Sequence, residues 1–427
     1  MNVDGALSTR IAAALDRPAA LALLREAVGI ESITGNEAAF AESLRGHMAA
    51  RGFQTDSAEF LPGRLNVWGQ RKGKGHGPHL LITGHTDTVR VDGWREKWAG
   101  TEREDPFGGA EVDGAIWARG VTDLKGGICT TIAALDILQS AGIELAGDLS
   151  LAFIGDEESG EEGTGISAGI DHYSQMIADG DIPKPDFAVY VEPTELAIYA
   201  AQIGFFIADV TIIGRSAYFG RPEMAVDALK ATHAILAKVW EHEAALRARL
   251  HHPMTGPSEL LVTGIKAGGL IAVPGACSFS VIGSLQPGED LHARTEAFEA
   301  AVRSAVVEDD IAIDITYPAG RDQPRGGSAT ETDPGLPAIR QLQSAIQHFD
   351  PERGNISGAP YWSESPYLIE RLGIPAVYCA AGDIACCHTI EEHLNIEEYL
   401  TAICAFALFM ASYCGVADQD EITKEET

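Results

Sequence analysis

Positive charge is scarce in this chain. Its 31 Lys and Arg stand against 62 Asp and Glu, a formal charge of -31 over 427 residues. Phosphate binding needs a basic stripe, so nucleic acid is not an expected partner. Long apolar runs are lacking too: none is read as reaching the ~20 residues that cross a bilayer, and no membrane contact is expected. The opening MNVDGALSTRIAAALDRP has neither a basic n-region nor a continuous apolar core, which argues against a secretory signal. Cysteine is sparse and odd in number, seven in all, without the spacing of a small disulfide framework. A reducing, cytoplasmic setting is the expectation. Cys386 and Cys387, directly before His388, read as small buried packing residues rather than thiolate ligands.

What is present suits a globular chain, with 45% apolar and 22% charged residues and length enough for two domains. Two helices are expected in the first fifty residues, one starting at Asp16 and Pro18, the other at Asn36 and Glu37. In the second, Phe40, Leu44 and Met48 form one apolar stripe, and Gly52 ends the run. Apolar segments of strand length follow at NVW (66–68), LLIT (80–83), LSLAFI (149–154) and FAVYV (187–191), with the helical stretch LKGGICTTIAALDILQSAGI among them. Strand alternating with helix predicts the α/β class, a doubly wound, mostly parallel sheet. After residue 200 the order strand, helix, strand, strand, helix, strand predicts an inserted α+β domain. Its first helix is expected from Ala225 to Leu250 and its second over 290–307. The expected division is a metal-binding catalytic domain of 1–200 and 318–427 around an insertion of 201–317, and the last ten residues read as a frayed acidic tail.

Five short patches each set a metal-binding side chain just after an apolar run or before a helix. They are His85 with Asp87, Asp123, the pair Glu157 and Glu158, Glu192, and His388. Imidazole and carboxylate ligands suit zinc, manganese or cobalt, and a parallel sheet delivers such groups at the carboxyl ends of its strands. His85-Thr86-Asp87 has the spacing of a ligand and a carboxylate that receives its other ring N–H. Asp123 precedes a helix start, where a rigid bridging carboxylate and a plain N-cap both fit. The adjacent Glu157 and Glu158 point apart, so one can bind metal while the other acts on water as a general base. Each patch is weak alone; the order H-x-D, D, E-E, E, H points to a metalloenzyme with a small-molecule substrate.

The segments GHTDTVRVDG, ARGVTDLKGG, GDEESGEEGTGI, VEPTE and GDIACCHTIEEHL resemble the aminoacylase, acetylornithine deacetylase and succinyl-diaminopimelate desuccinylase family of dinuclear metallohydrolases. The resemblance covers nearly the whole chain, and YWSESPYLIERLGIP is similar to the acetylornithine deacetylase branch. It implies two divalent metal ions per subunit, one held by His85 and Glu192 and the other by Glu158 and His388, with Asp123 bridging. It further implies Glu157 as general base, Asp87 as the partner of His85, and a metal-bound hydroxide as nucleophile. The insertion would serve as a lid through which a homodimer forms.

The lid departs from the family pattern. Tyr218, in GRSAYFGRPE, stands where the family carries a histidine that stabilises the oxyanion. Its hydroxyl can donate, its ring can stack on a flat substrate, or it can simply pack. Ala272 and Ser284 stand where an asparagine and an arginine grip the substrate's carboxylate. Arg221 and Arg325 are candidate anion contacts, weighed against plain surface roles. The water-activating residues are present while the substrate grip is rebuilt. The expected activity is therefore hydrolysis of a C–N bond other than a standard peptide. The favoured form is an aminohydrolase releasing ammonia from a small aromatic amine such as a nitro-aminobenzoate, as in the nitroanthranilate aminohydrolase these departures resemble. The alternatives are an N-acyl amino acid deacylase or dipeptidase, and a binding protein on the same scaffold, against which Glu157 counts.

Overall fold

The computed structural model describes residues 5–158, 164–249 and 251–417. Leu250 and the acidic tail lie outside the described residues. The chain forms two compact units: Met1–Ala200, Thr332–Ser357 and Tyr367–Thr427 in the first, Ala201–Glu331 and Gly358–Pro366 in the second.

In the first unit the strands run in the order Gln54–Leu61, Arg64–Arg71, Leu149–Ile154, Leu80–His85, Phe187–Tyr190, Ala376–Tyr378, Ile198–Gln202. The four from Leu149–Ile154 to Ala376–Tyr378 are parallel. Antiparallel strands flank them, so the sheet is mixed. Leu149–Ile154, Leu80–His85 and Phe187–Tyr190 are buried at every position, which is why each reads as a mostly apolar run. Gln54–Leu61 lies half-exposed at the edge, and its sequence QTDSAEFL carries no such signal.

Among the described residues of the first fifty, three helices form rather than two, because Gly5–Ala13 precedes the two expected ones. Asp16 caps Arg17–Gly29 by accepting from the Ala19 N–H at 3.0 Å. Ala38–Ala50 buries Phe40, Leu44 and Met48, and Gly52 ends the run with φ 80°. The last helix corrects the reading of apolar runs. Ile396–Cys414 has 19 residues and a mean hydropathy of 1.3, long and apolar enough to cross a bilayer. Yet Phe406, Leu408, Phe409 and Met410 are fully buried, packed among Gly126–Ser140 and Pro337–Phe349. A helix apolar on all sides belongs either to a membrane or to the middle of a large core, and here the unit's own helices cover it.

The second unit is an antiparallel sheet in the order Leu260–Ala267, Ala276–Leu285, Gly204–Ile213, Ala312–Thr316. Helices Ala228–Arg247 and Leu291–Arg303 pack on it around a core that includes Phe206, Val210, Ile235, Phe279 and Phe298. Burial alternates along Gly204–Ile213 and Ala276–Leu285, the pattern of a sheet with one covered face. The unit runs past residue 317 because Gly326 and Gly327 pair with Phe206 and Phe205. The Gln202 side chain brackets the backbone of Ser363, donating to its carbonyl and accepting from its N–H, which ties in Gly358–Pro366.

Candidate metal centre

Strand ends in the first unit converge on one cluster of donors. His85 closes Leu80–His85, Glu157 and Glu158 follow Leu149–Ile154, Glu192 follows Phe187–Tyr190, and His388 lies beyond Ala376–Tyr378. Asp123 comes from the turn Val121–Lys125 that leads into Gly126–Ser140. A Cβ on Gly127 would lie 2.4 Å from the Val191 carbonyl oxygen, so only glycine lets that helix begin so close beneath the strand ends.

His85 Nε2 lies 3.0 Å from Asp123 Oδ1 and 3.8 Å from Glu192 Oε1. His388 Nε2 lies 3.1 Å from Asp123 Oδ2 and 2.9 Å from Glu158 Oε1. Three trios each offer ligand atoms within 4.8 Å of one another: His85, Asp123 and Glu192; Asp123, Glu158 and His388; His85, Glu157 and Glu158. Asp123 thus faces both histidines, one oxygen to each. Among the described residues no cysteine joins these trios. Cys387 is buried as expected, but Cys386 is only half-buried, its thiol turned to the carbonyls of Asp383 and His393.

Charge in the cluster is unbalanced toward the carboxylates. Burial pulls the His85 pKa down, but its hydrogen bond with Asp123 and the charges of Glu192, Glu157 and Asp123 leave it well above the usual imidazole value. Hydrogen bonds with Asp123 and Glu158 push His388 up to about 11. Burial and the nearby Asp123 charge push Glu158 up to about 8. Burial opposes ionisation of Asp123, and its bonds with His388 and His85 outweigh that and hold it low. The surrounding carboxylates thus favour positive charge at both imidazoles. Divalent ions in the same place would displace those protons, so the donor set fits metal and its uptake releases protons.

Asp87 is not the carboxylate partner of the His85 ring that the H-x-D spacing predicts. Its carboxylate does not take the ring N–H of His85, from which Oδ1 stands 3.9 Å away. His85 Nδ1 instead meets the Asp87 backbone carbonyl at 2.9 Å. With Nδ1 donating there, Nε2 is the nitrogen turned toward Asp123 and Glu192, donating to Asp123 in the metal-free protein and able to offer its lone pair to an ion that displaces that proton. The buried carboxylate of Asp87 accepts from the N–H groups of Glu157 and Glu158 at 3.2 and 2.9 Å and from Thr34 Oγ1 at 3.0 Å. These bonds hold the backbone of the two glutamates against Asp87.

Sequence reading also missed two supports. Arg64, buried, donates to Glu37 at 2.6 Å and to Asp156 at 2.5 Å, and Asp156 accepts from the N–H groups of Gly165, Ile166 and Ala168. This fastens the loop that carries Glu157 and Glu158. Glu37, read only as a helix start, gave no sign of it. The second support is Glu392 with Arg119, whose one local signal is a pair of adjacent glutamates close after His388 in HTIEEHL.

Tyr218 belongs to the second unit, in the two-residue strand Ala217–Tyr218 paired with Ala272–Val273. It is 59% exposed, its ring against Phe219 with centroids 4.6 Å apart. Ser284 Oγ accepts from the Glu259 N–H at 2.8 Å. Arg325 is engaged by Thr295, Glu299 and the face of Tyr317.

A family model described as Peptidase family M20/M25/M40 matches residues 81–412. The chain is 26% identical over 411 residues to an acetylornithine deacetylase of Myxococcus xanthus, covering 93% of this chain and 98% of that one. It is 25% identical over 398 residues to the N-formyl-4-amino-5-aminomethyl-2-methylpyrimidine deformylase of Bacillus subtilis (strain 168), covering 87% and 88%. Among solved structures, the M20 family metallo-carboxypeptidase Sso-CP2 from Sulfolobus solfataricus superposes with a TM-score of 0.72 at 16% identity, over 92% of this chain and 99% of that one. Human carnosine dipeptidase 1 does so with a TM-score of 0.69 at 15% identity, over 97% and 100%. At those identities the two structures speak to fold alone.

Proposed function

This chain belongs to peptidase family M20/M25/M40 and is a metal-dependent hydrolase of C–N bonds; from that premise we propose that it removes a short acyl group from the nitrogen of a small amine. The observation that carries this reading is that two relatives matching most of the chain are, by name, a deacetylase and a deformylase. The aromatic aminohydrolase expected from the lid residues gains no such support. It becomes the contrary arm of the test.

In this reading His85 and Glu192 hold one ion, Glu158 and His388 the other, and Asp123 is shared. Zinc, manganese and cobalt all suit the donor set. When bound, such ions polarise the acyl carbonyl and lower the pKa of the attacking water. Glu157 takes a proton from that water as the C–O bond forms, then passes it to the nitrogen as the C–N bond breaks. Asp87 keeps Glu157 and Glu158 turned to their separate tasks. The engagement of Ser284 and Arg325 within their own unit supports a substrate without the carboxylate that a bidentate arginine would hold.

The test offers the metal-loaded enzyme N-formyl and N-acetyl derivatives of aminomethyl heteroaromatics, N-acetyl amino acids and aminobenzoates, with acid and ammonia both monitored. Formate or acetate release is expected, fastest from the heteroaromatic amines. Ammonia from the aminobenzoates with no acid from any acyl amine would overturn the proposal. Tyr218→Phe is expected to lower kcat by ~10²-fold through loss of an oxyanion donor; an unchanged kcat would leave Tyr218 as a packing residue.

A homodimer through the second unit is part of the same proposal. Among the described residues, edge strand Leu260–Ala267 pairs only with Ala276–Leu285, and it exposes Leu261 at 50% and Ile265 at 56%. Sedimentation of the wild type should give twice the chain mass, and Ile265→Lys should shift it to the monomer; a monomeric wild type at micromolar concentration would refute the dimer.

A further inference from the structure

Glu392 belongs to none of the ligand trios, yet it is enclosed beside them, only 1% exposed. Its Oε1 accepts from the N–H groups of Thr122 and Asp123 at 3.0 and 3.1 Å. Its Oε2 accepts from the Gly120 N–H at 3.1 Å and from Arg119 Nη1 at 2.6 Å. Gly120 has φ 77°, and this left-handed residue lets three N–H groups of one turn converge on a single carboxylate, a backbone nest for an anion. Every strong accepting direction of the carboxylate is used.

The same short segment carries His388. Arg119 Nη2 donates to the Thr389 carbonyl at 3.0 Å, and Thr122 Oγ1 donates to the His393 carbonyl at 2.8 Å. Trp98 Nε1 donates to the Ile390 carbonyl at 2.6 Å from a third direction. The Asp123 turn and the His388 segment are thereby closed on one another, with Glu392 at the centre of the closure. His388 itself is exposed and has φ 59°, a conformation that a non-glycine residue keeps only where its surroundings impose it.

We infer that Glu392 is a positioning residue that sets Asp123 and His388 at their mutual distance and so shapes the ion site of Asp123, Glu158 and His388. The inference rests on the metal centre proposed above. Because His388 serves that trio alone, while Asp123 serves two, slackening the clamp is felt most by one ion of the pair.

The test titrates metal-free wild type and Glu392→Gln with Co2+ against a competing chelator, with circular dichroism as the check on fold. Glutamine keeps the size but turns one accepting oxygen into a donor that faces N–H groups. The expected result is a folded variant whose weaker ion binds ~10–100-fold less tightly, with an altered Co2+ absorption band, while the tighter ion changes far less. Glu392→Asp keeps the charge on a shorter arm and should fall between; it carries the comparison if the glutamine variant does not fold. Two ions held by a folded variant with wild-type affinities would overturn the inference. So would a lowered melting temperature with unchanged affinities, the mark of a purely structural residue. A wild type that binds no Co2+ overturns the metal centre itself, and that result is read before any variant is made.

Discussion

Glu157→Gln is expected to lower kcat by on the order of 10²–10⁴-fold while leaving the metal content per chain unchanged. The two adjacent glutamates differ in setting. Glu158 is buried with Oε1 2.9 Å from His388 Nε2, in the trio with Asp123. Glu157 is half-exposed and bears on the cluster through its charge, one of those that raise His85. An amide at 157 preserves volume and the backbone bond to Asp87 but has no basic oxygen to take a proton. Catalysis should therefore fall without loss of ions. Because Glu157 also comes within 4.8 Å of His85 and Glu158 in the third trio, metal analysis has to accompany the kinetics. Loss of an ion from the variant would exchange the roles of the two glutamates.

Asp123→Asn is expected to empty the centre, weakening metal by more than the ~10–100-fold typical of an outer partner. Both carboxylate oxygens are committed, Oδ1 toward His85 and Oδ2 toward His388. An amide leaves one oxygen and puts N–H hydrogens where the second ion's ligand should be. It also removes a negative charge common to two trios. The backbone N–H of residue 123 still reaches Glu392, so the turn should hold its shape. The metal-free protein offers a second reading. The hydrogen bond with Asp123 is the largest cause of the raised His388 pKa, about 11 in the wild type, so His388 should titrate lower in the variant. Chelator competition checks the first effect and a histidine NMR titration the second. Wild-type affinity for two ions would remove Asp123 as the shared ligand.

Much of the fold was legible in the chain because its signals are local. Leu80–His85, Leu149–Ile154 and Phe187–Tyr190 are buried at every position, so their sequences are mostly apolar, with Thr83, His85 and Ser150 as the polar exceptions. Helix starts at Asp16 and stops at Gly52 follow from capping and left-handed backbone. The edge strand Gln54–Leu61 escaped because half-exposure leaves it polar. The last helix escaped for another reason: whether nineteen apolar residues lie in a core or a membrane depends on what surrounds them.

Which residue types stand at the strand ends follows from the order of the chain alone, and hence that imidazoles and carboxylates would gather there. Which atom of each residue meets which partner depends on how the folded backbone brings them together. Asp87 meets His85 through its carbonyl and the glutamates through its carboxylate, a choice between atoms of one residue that spacing does not encode. Arg119 and Glu392 are 273 positions apart in the chain, and Arg64 and Asp156 are 92 apart. A strand-end ligand is announced by the apolar run before it. A buried clamp has no local pattern, because its partners arrive from elsewhere in the chain and are fixed only when the backbone has closed around them.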